Sequence, residues 1–205
     1  MTATAPRVIA EGSLVRLREK QIEDAWRDYS WRKDRELADY DATRPITMTF
    51  RAYTATITED LRRPSRFRRT FAIEDRENGR HIGNVMYYGY DSYLGEAELG
   101  ITIGERAYWS RGYGSEAVRC LLGHLFEELE LRRVYLHTLT TNVRAQQAFR
   151  RAGFRRLRSV RRDGYDFERM EISREEHALQ ERAAAAEVRE RDEGGSANAP
   201  GAGAL

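Results

Sequence analysis

A glycine-rich turn followed by a strongly amphipathic helix constrains this chain more than any other feature of its sequence. The turn reads Trp-Ser-Arg-Gly-Tyr-Gly-Ser-Glu over residues 109–116. In the segment after it, apolar residues recur at helical spacing, at Val118, Leu121, Leu122, Leu125 and Leu129. This spacing places them on one face of an α-helix, so the helix has to pack that face against a sheet or against other helices.

The same turn has the chemistry of an anion site. Gly112 and Gly114 allow a tight turn and a close approach of the backbone to a ligand. The first turn of the helix adds unpaired N–H groups at the positive end of the helix dipole. The turn is not a P-loop, because no Gly-Lys-Ser/Thr follows, and it lacks the third glycine of the dinucleotide fingerprint. Taken alone, it is equally well a simple helix start.

The rest of the chain mixes strands and helices without a regular βαβ repeat. Alternating apolar residues predict strands near 14–17 and over 70–75, 81–90, 97–103, 133–139, 154–161 and 165–172. Helical patterns precede and separate them, over 24–31, 34–40, 53–61 and 143–151. Asn78-Gly79 and Asp163-Gly164 are typical hairpin turns. We therefore expect an α+β fold, with a mostly antiparallel sheet and helices on its faces.

Composition divides the chain into one domain and two terminal segments. We expect a flexible lead-in over 1–10, a folded domain over 11–176, and a charged helical extension with a disordered tail over 177–205. The 35 basic and 33 acidic side chains nearly cancel, which excludes a strong polyelectrolyte. There is no 18-residue apolar run, no leader pattern and one cysteine, Cys120. We expect a cytoplasmic protein with no membrane segment, no internal disulfide and no metal site.

A second motif changes the interpretation of the glycine turn. After the next predicted strand the chain reads Asn-Val-Arg-Ala-Gln-Gln-Ala-Phe-Arg-Arg-Ala-Gly-Phe, over residues 142–154. Together the two motifs resemble the GNAT acetyltransferase superfamily, whose members carry a glutamine- or arginine-x-x-glycine-x-glycine/alanine loop. Here Trp109 stands at the first position, and the stretch 108–117 looks like the RimJ/RimL-type branch. The resemblance covers about 70–172. It implies a twisted sheet of about six to seven strands, splayed in the middle, with helices on both faces.

The resemblance implies acetyl-CoA as co-substrate and a primary amine, on a small molecule or a protein N-terminus, as acceptor. The pyrophosphate would sit on the backbone amides of the glycine turn. The pantetheine arm would lie along the strand before the turn like an added strand, with the amide of Ile101 polarising the thioester carbonyl. The expected cofactor-binding residues are Ile101, Thr102, Ile103, Arg111, Gly112, Tyr113, Gly114, Ser115, Glu116, Asn142, Phe149 and Arg151.

An amine acceptor also needs a base, because an α-amino group has a pKa near ~8 and a lysine near ~10.4. Glu98, 14 residues before Gly112, is the predicted general base. The resemblance supports this, because histone-acetylating members place their glutamate at that distance. A structural carboxylate or a substrate-binding anion are the alternatives, and Glu96 is the fallback base. His137 is interpreted as a packing residue. Many members have a tyrosine that protonates the thiolate where this chain has Phe149, so the source of that proton stays open.

The acceptor side is the least defined by the sequence. The candidate acceptor-binding residues are Trp31, Tyr40, Asp41, Tyr87 and Tyr90. A non-catalytic acyl-CoA-binding module is one alternative function. Nucleic-acid binding by the arginines of 62–69 and 150–162 is another, but the net charge of +2 and the lack of a nucleic-acid motif argue against it. A monomer and a homodimer are both compatible with the sequence.

Overall fold

A mixed sheet of eight strands, with helices packed on both faces, organises the chain. The computed structural model describes residues 5–196, with side chains to residue 186. The strands are β1 (Val8–Glu11), β2 (Val15–Glu19), β3 (Arg69–Asp75), β4 (His81–Asp91), β5 (Glu96–Ile103), β6 (Arg133–Leu139), β7 (Arg155–Arg162) and β8 (Tyr165–Ser173). The helices are α1 (Ala25–Lys33), α2 (Arg35–Tyr40), α3 (Phe50–Arg62), α4 (Tyr113–Glu128), α5 (Val143–Arg151) and α6 (Arg174–Ser196).

The sheet is splayed between its two central strands. Its order is β1-β2-β3-β4-β5-β6-β8-β7, and all neighbours are antiparallel except β5 and β6. This parallel pair holds together for only three positions, the last being Glu98 opposite Tyr135. Beyond that point β5 continues to pair with β4, and β6 with β8. The backbone of 99–103 is therefore unpaired on its β6 side, as a splayed sheet predicts.

The core lies between the sheet and α4. The helix buries Val118, Leu121, Leu122 and Leu125 against inward-facing residues of β2 to β5, including Phe71. Each such side chain contributes roughly 1.5–3 kcal/mol by leaving water. The helix begins directly after Gly112 and ends at Glu128, close to the predicted stripe. This packing fixes the N-terminus of α4 at the end of the sheet where β5 and β6 have separated.

Helices α1 and α2 cover the opposite face of the sheet. Asn84 on β4 donates to Asp28 of α1 at 2.7 Å, and Thr102 on β5 donates to Asp41, just after α2, at 3.3 Å. Gly104 provides the close approach that this layer needs, because a Cβ there would lie 2.1 Å from the ring of Trp31. No helix in the described part of the chain is long and apolar enough to cross a membrane.

Two expectations about the architecture need adjustment. The sheet has eight strands rather than six to seven, because β1 pairs antiparallel with β2 inside the segment predicted as a flexible lead-in. The C-terminal helix begins at Arg174, three residues before the predicted extension. The tail predicted to be disordered falls partly at 197–205, outside the described residues. The division into domains otherwise stays a prediction.

Candidate active site

A cavity of about 180 Å³ lies where β5 and β6 separate, in front of the N-terminus of α4. It is formed by the open edge of β5, the glycine turn and the first turns of α5. Nine of the twelve predicted cofactor-binding residues line it: Ile101, Thr102, Ile103, Gly112, Gly114, Ser115, Asn142, Phe149 and Arg151. The tertiary structure thus brings two motifs that are distant in sequence to one cavity.

The glycine turn shapes one wall of this cavity. Gly112 has φ +92°, a left-handed conformation that an L-residue adopts only with strain. Its carbonyl accepts the first helical hydrogen bond, from the amide of Glu116 at 3.0 Å, and a second from the Ser115 hydroxyl at 2.9 Å. The amides of the first helical turn that precede Glu116 have no backbone partner among the described residues. Unpaired amides at the start of a helix are suited to binding an anion.

Three predicted cofactor-binding residues direct their side chains elsewhere. The Arg111 guanidinium lies over the rings of Tyr108 and Tyr113, 5.9 and 5.8 Å from their centres. The Tyr113 ring belongs to the buried core. Neither Arg111 nor Tyr113 lines the cavity, although each is a neighbour of Gly112 in the chain.

Glu116 has a structural role that corrects its predicted place in the anion site. Its amide already donates to Gly112, and its carboxylate accepts from the backbone amides of Ser13, Leu14 and Val15 at 3.0, 2.6 and 2.9 Å. Although burial opposes it, these donors hold the pKa of Glu116 below its ordinary value. The carboxylate therefore fastens the start of β2 to α4.

An aromatic stack closes one side of the cavity. The Arg144 guanidinium lies 3.6 Å from the ring centre of Trp109 and 4.7 Å from that of Tyr40. The indole of Trp109 donates to the carbonyl of Ile103 at 2.7 Å. Trp109, which stands where the family loop has glutamine or arginine, thus ties the turn to β5. We name this cluster of Tyr40, Trp109 and Arg144 the aromatic stack.

A second, larger cavity of about 650 Å³ adjoins the first, between the sheet and α1 to α3. The two cavities share lining residues, which mark their junction: Leu37, Tyr40, Asp41, Ile101, Thr102, Asn142, Ala145 and Phe149. A molecule in one cavity therefore meets a molecule in the other beside the open edge of β5.

The predicted acceptor residues divide into two groups. Trp31, Tyr40 and Asp41 line the second cavity. Tyr87 also borders it, but its ring is 4% exposed within the core and its hydroxyl donates to the Arg66 carbonyl at 3.3 Å. Tyr90 lines neither cavity, which corrects its prediction. The bulge in β4 after Tyr88 changes the facing of the residues that follow, and strand alternation cannot reveal this.

Sequence reasoning missed several residues of the second cavity, among them Arg32, Tyr53 and Tyr88. The sequence did predict the helix that carries Tyr53. The face of that helix on which Tyr53 lies was therefore a weak signal that it lines a cavity. Arg32 and Tyr88 gave no signal, because charged and aromatic residues at such positions are most often surface or sheet residues.

Glu98 and His137 form a hydrogen-bonded pair at the vertex of the splay. The ring nitrogen Nδ1 of His137 lies 2.7 Å from Oε1 of Glu98, and both side chains are largely buried. Although burial opposes it, the hydrogen bond with His137 keeps the pKa of Glu98 below its ordinary value, with Tyr88 and Arg162 adding to this effect. His137 lines the second cavity and Glu98 does not. Interpreting His137 as a packing residue therefore overlooks its main contact, the hydrogen bond with Glu98.

Asp41 and Cys120 differ sharply in position. Asp41 stands at the junction, where the loss of surrounding water raises its pKa, opposed by the Thr102 hydroxyl and the charge of Arg32. Burial raises the pKa of Cys120 to about 11, and this thiol lines neither cavity. No cluster of three or more His, Cys, Asp or Glu side chains suited to a metal ion lies within residues 5–186.

Comparison with known proteins gives this architecture a family. The model of the acetyltransferase (GNAT) domain matches residues 15–155. An uncharacterized N-acetyltransferase, p20, from Bacillus licheniformis is 31% identical over 119 residues, which are 58% of this chain and 66% of that protein. The chain thus spans just under two thirds of that relative.

Solved structures share the fold. A spermidine N-acetyltransferase from Vibrio cholerae in complex with CoA and spermine superposes with a TM-score of 0.72 at 20% identity, over 82% of this chain and 99% of that one. The aminoglycoside acetyltransferase AAC(6')-Ib in complex with coenzyme A gives 0.66 at 20% identity, over 80% and 98%. Because the domain model covers more than half of its residues, the chain belongs to the GNAT acetyltransferase family.

Proposed function

We propose that this protein is an N-acetyltransferase that moves an acetyl group from acetyl-CoA to a primary amine. The observation that carries the proposal is the junction of the two cavities at Ile101 and Thr102, beside the unpaired edge of β5. A donor in the smaller cavity and an acceptor in the larger one would meet there. Structural relatives whose names include spermine and aminoglycosides support an amine acceptor.

The smaller cavity suits the donor. The amides at the start of α4 would hold the pyrophosphate, and Arg151 lines the cavity where a further phosphate would add negative charge. The pantetheine amides would pair with the open edge of β5 as an added strand. The amide of Ile101 would donate to the thioester oxygen as negative charge develops there. Asn142 caps α5 through its Oδ1, at 3.1 Å from the amide of Ala145, which fixes its place at the junction.

The Glu98–His137 pair would supply the base. An ionised carboxylate can only accept, so Nδ1 of His137 would carry the ring hydrogen, and Nε2, 3.4 Å from the Arg162 guanidinium, would be the acceptor. Nδ1 then carries the hydrogen and donates it to Glu98. Glu98 is the anionic end of the pair, and His137 faces the cavity. As the amine attacks the carbonyl carbon, its proton would pass to Nε2, directly or through water, in place of the 3.4 Å contact with Arg162, and the C–S bond would break.

The thiolate of CoA leaves without help from Phe149, whose ring is 6% exposed and packs against Phe154. A thiol has a pKa near ~8.5, so the thiolate is a tolerable leaving group at neutral pH. Tyr40 is the tyrosine that lines both cavities, and we propose its hydroxyl as the source of the proton.

The alternative functions receive less support. A non-catalytic acyl-CoA-binding module would not need a histidine that lines the second cavity and is hydrogen-bonded to a buried glutamate. Nucleic-acid binding would need free arginines, yet several of the predicted clusters are ion-paired, among them Arg63, Arg68, Arg69, Arg155 and Arg156. The RimJ/RimL-type branch, a protein N-terminus as acceptor, the cytoplasmic location and the oligomeric state remain predictions.

Calorimetric titration of the purified protein with acetyl-CoA tests the donor, with succinyl-CoA and ATP as controls. We expect micromolar binding of acetyl-CoA and no binding of ATP. Thiol release in the presence of an amine panel then tests transfer. Failure to bind any CoA ester would overturn the proposal. Binding without thiol release for any amine would favour the non-catalytic module.

A further inference from the structure

The charged side chains of the second cavity fall into two internal pairs and one unmatched couple. Six charged residues line it besides His137: Lys20, Asp28, Arg32, Asp41, Asp60 and Arg68. Lys20 Nζ lies 2.7 Å from a carboxylate oxygen of Asp28, and Arg68 lies 3.3 Å from Asp60. Within each pair the two opposite charges neutralise each other. Arg32 and Asp41 are left as the charges that a ligand would meet.

Arg32 is an exposed residue in the last turn of α1 and has no ion-pair partner among the described residues. Its positive charge opposes the increase in the pKa of Asp41, so the two groups are within electrostatic reach of each other. Two opposite charges, carried by neighbouring helical segments, thus face the same cavity.

The two charges, both on exposed residues, differ in the cavities that they line. Asp41 lines both cavities and stands at the junction, where it accepts from the Thr102 hydroxyl. Arg32 lines only the larger cavity. An ammonium group drawn to Asp41 would therefore arrive near the donor. A group held by Arg32 would remain away from it.

We propose that the acceptor is an amino-acid-like zwitterion, with a carboxylate near its amine. This inference rests on the proposed function and names its substrate class. A guanidinium binds a carboxylate through two parallel hydrogen bonds, a geometry that an ammonium ligand cannot use. A polyamine, by contrast, would bring several positive charges to a cavity with one unmatched carboxylate and one opposing guanidinium.

Matched acceptor pairs that differ only by the carboxylate test the inference. Lysine with cadaverine, tyrosine with tyramine and histidine with histamine are such pairs, and spermidine serves as the polycation. Thiol release with acetyl-CoA gives kcat/KM for each. We expect at least one amino acid to exceed its decarboxylated partner tenfold or more, and to exceed spermidine.

Variants of Arg32 locate the preference. Arg32→Gln removes the carboxylate contact, so we expect it to raise KM for the amino acid about tenfold. Because it also removes a positive charge from the cavity, KM for the decarboxylated amine should not rise. Arg32→Glu reverses the charge and should reverse the preference. Arg35→Gln changes an exposed arginine that lines neither cavity and should leave both substrates unaffected.

The outcomes separate this inference from the proposed function. Equal or better turnover of the decarboxylated amines overturns the inference and leaves the N-acetyltransferase activity intact. Acetyl-CoA binding without thiol release from any amino acid also overturns the inference. Absence of acetyl-CoA binding overturns the proposed function, and the inference with it.

Discussion

The two cavities of this protein are built in different ways. The smaller one is lined mainly by three short continuous segments: the open edge of β5, the glycine turn and the start of α5. The larger one is lined by residues of α1, α2, α3, the start of α5 and five strands of the sheet. The smaller cavity therefore follows from local conformation, and the larger one from packing between distant elements.

This difference explains why the two halves of the site have different chemical specificity. Backbone amides at a helix N-terminus bind a phosphate whatever side chains surround them. In the proposed acceptor half, recognition would instead depend on particular side chains, such as Arg32, Asp41 and His137.

The largest effect is expected at the base of the acceptor half. Glu98→Gln and His137→Gln should each lower kcat by about 10²–10⁴ with little change in acetyl-CoA affinity. Because the two residues act as one unit, the double variant should be no worse than the poorer single variant. Steady-state thiol release and calorimetry measure both quantities.

The matched control for that experiment is Glu96→Gln, which changes a glutamate of the same strand that pairs with Arg133 at 2.7 Å. It should retain nearly all activity. Severe loss in Glu96→Gln together with an active Glu98→Gln would mean that the fallback residue is the base.

In the donor half, a change at Glu116 should lower the stability of the protein more than it lowers the rate of acetyl transfer. Glu116→Ala leaves the amides of Ser13, Leu14 and Val15 without their acceptor. The free energy of unfolding should fall by about 3 kcal/mol, because unmet buried donors cost about 1–3 kcal/mol each and water reaches some of them. Chemical denaturation measures this. Glu127→Ala, at an exposed site on the same helix, should change stability little; an equal loss in both variants would contradict the role of Glu116.

Acid should lower the stability of the protein through His81, which contacts Lys20 and Asn84 of the acceptor half. Burial, and next the charge of Lys20, lower the pKa of His81 to about 4 from the ordinary 6.5, against the opposing effect of Asp24. The unfolded chain therefore binds a proton before the folded one does. Stability should fall by on the order of 2 kcal/mol as pH drops from about 6.5 to about 4. Thermal unfolding across this range should show a shallower decline in His81→Gln, and an unchanged slope would contradict this assignment.

The smallest effect is expected in the glycine turn. Gly112→Ala places an L-residue at φ +92°, which costs roughly 1–2 kcal/mol. Acetyl-CoA affinity should fall about five- to tenfold, with KM for the amine unchanged. Gly123→Ala on the same helix has open space around its new Cβ and should have no effect on binding. A change in KM for the amine without a change in acetyl-CoA affinity would contradict the functional separation of the two halves.

Much of the fold was accessible from sequence because its signals are local. The stripe from Val118 to Leu125 predicted α4, and the hairpin around Asp163 and Gly164 is present as β7–β8. The splayed sheet was available only through the family resemblance. Strand β1 was missed, because four residues carry little periodicity and gain their stability from pairing with β2.

By itself, the sequence determined where the chain turns, which helix face is apolar and which backbone segment can receive an anion, because each depends on residues within one or two turns of each other. Only the tertiary structure decided that Glu98 meets His137, that Glu116 holds β2 and that Arg32 and Asp41 face one cavity. Those contacts join residues 39 and 101 positions apart in two of these cases. Such distances are closed by the packing of the whole core, which no local pattern encodes.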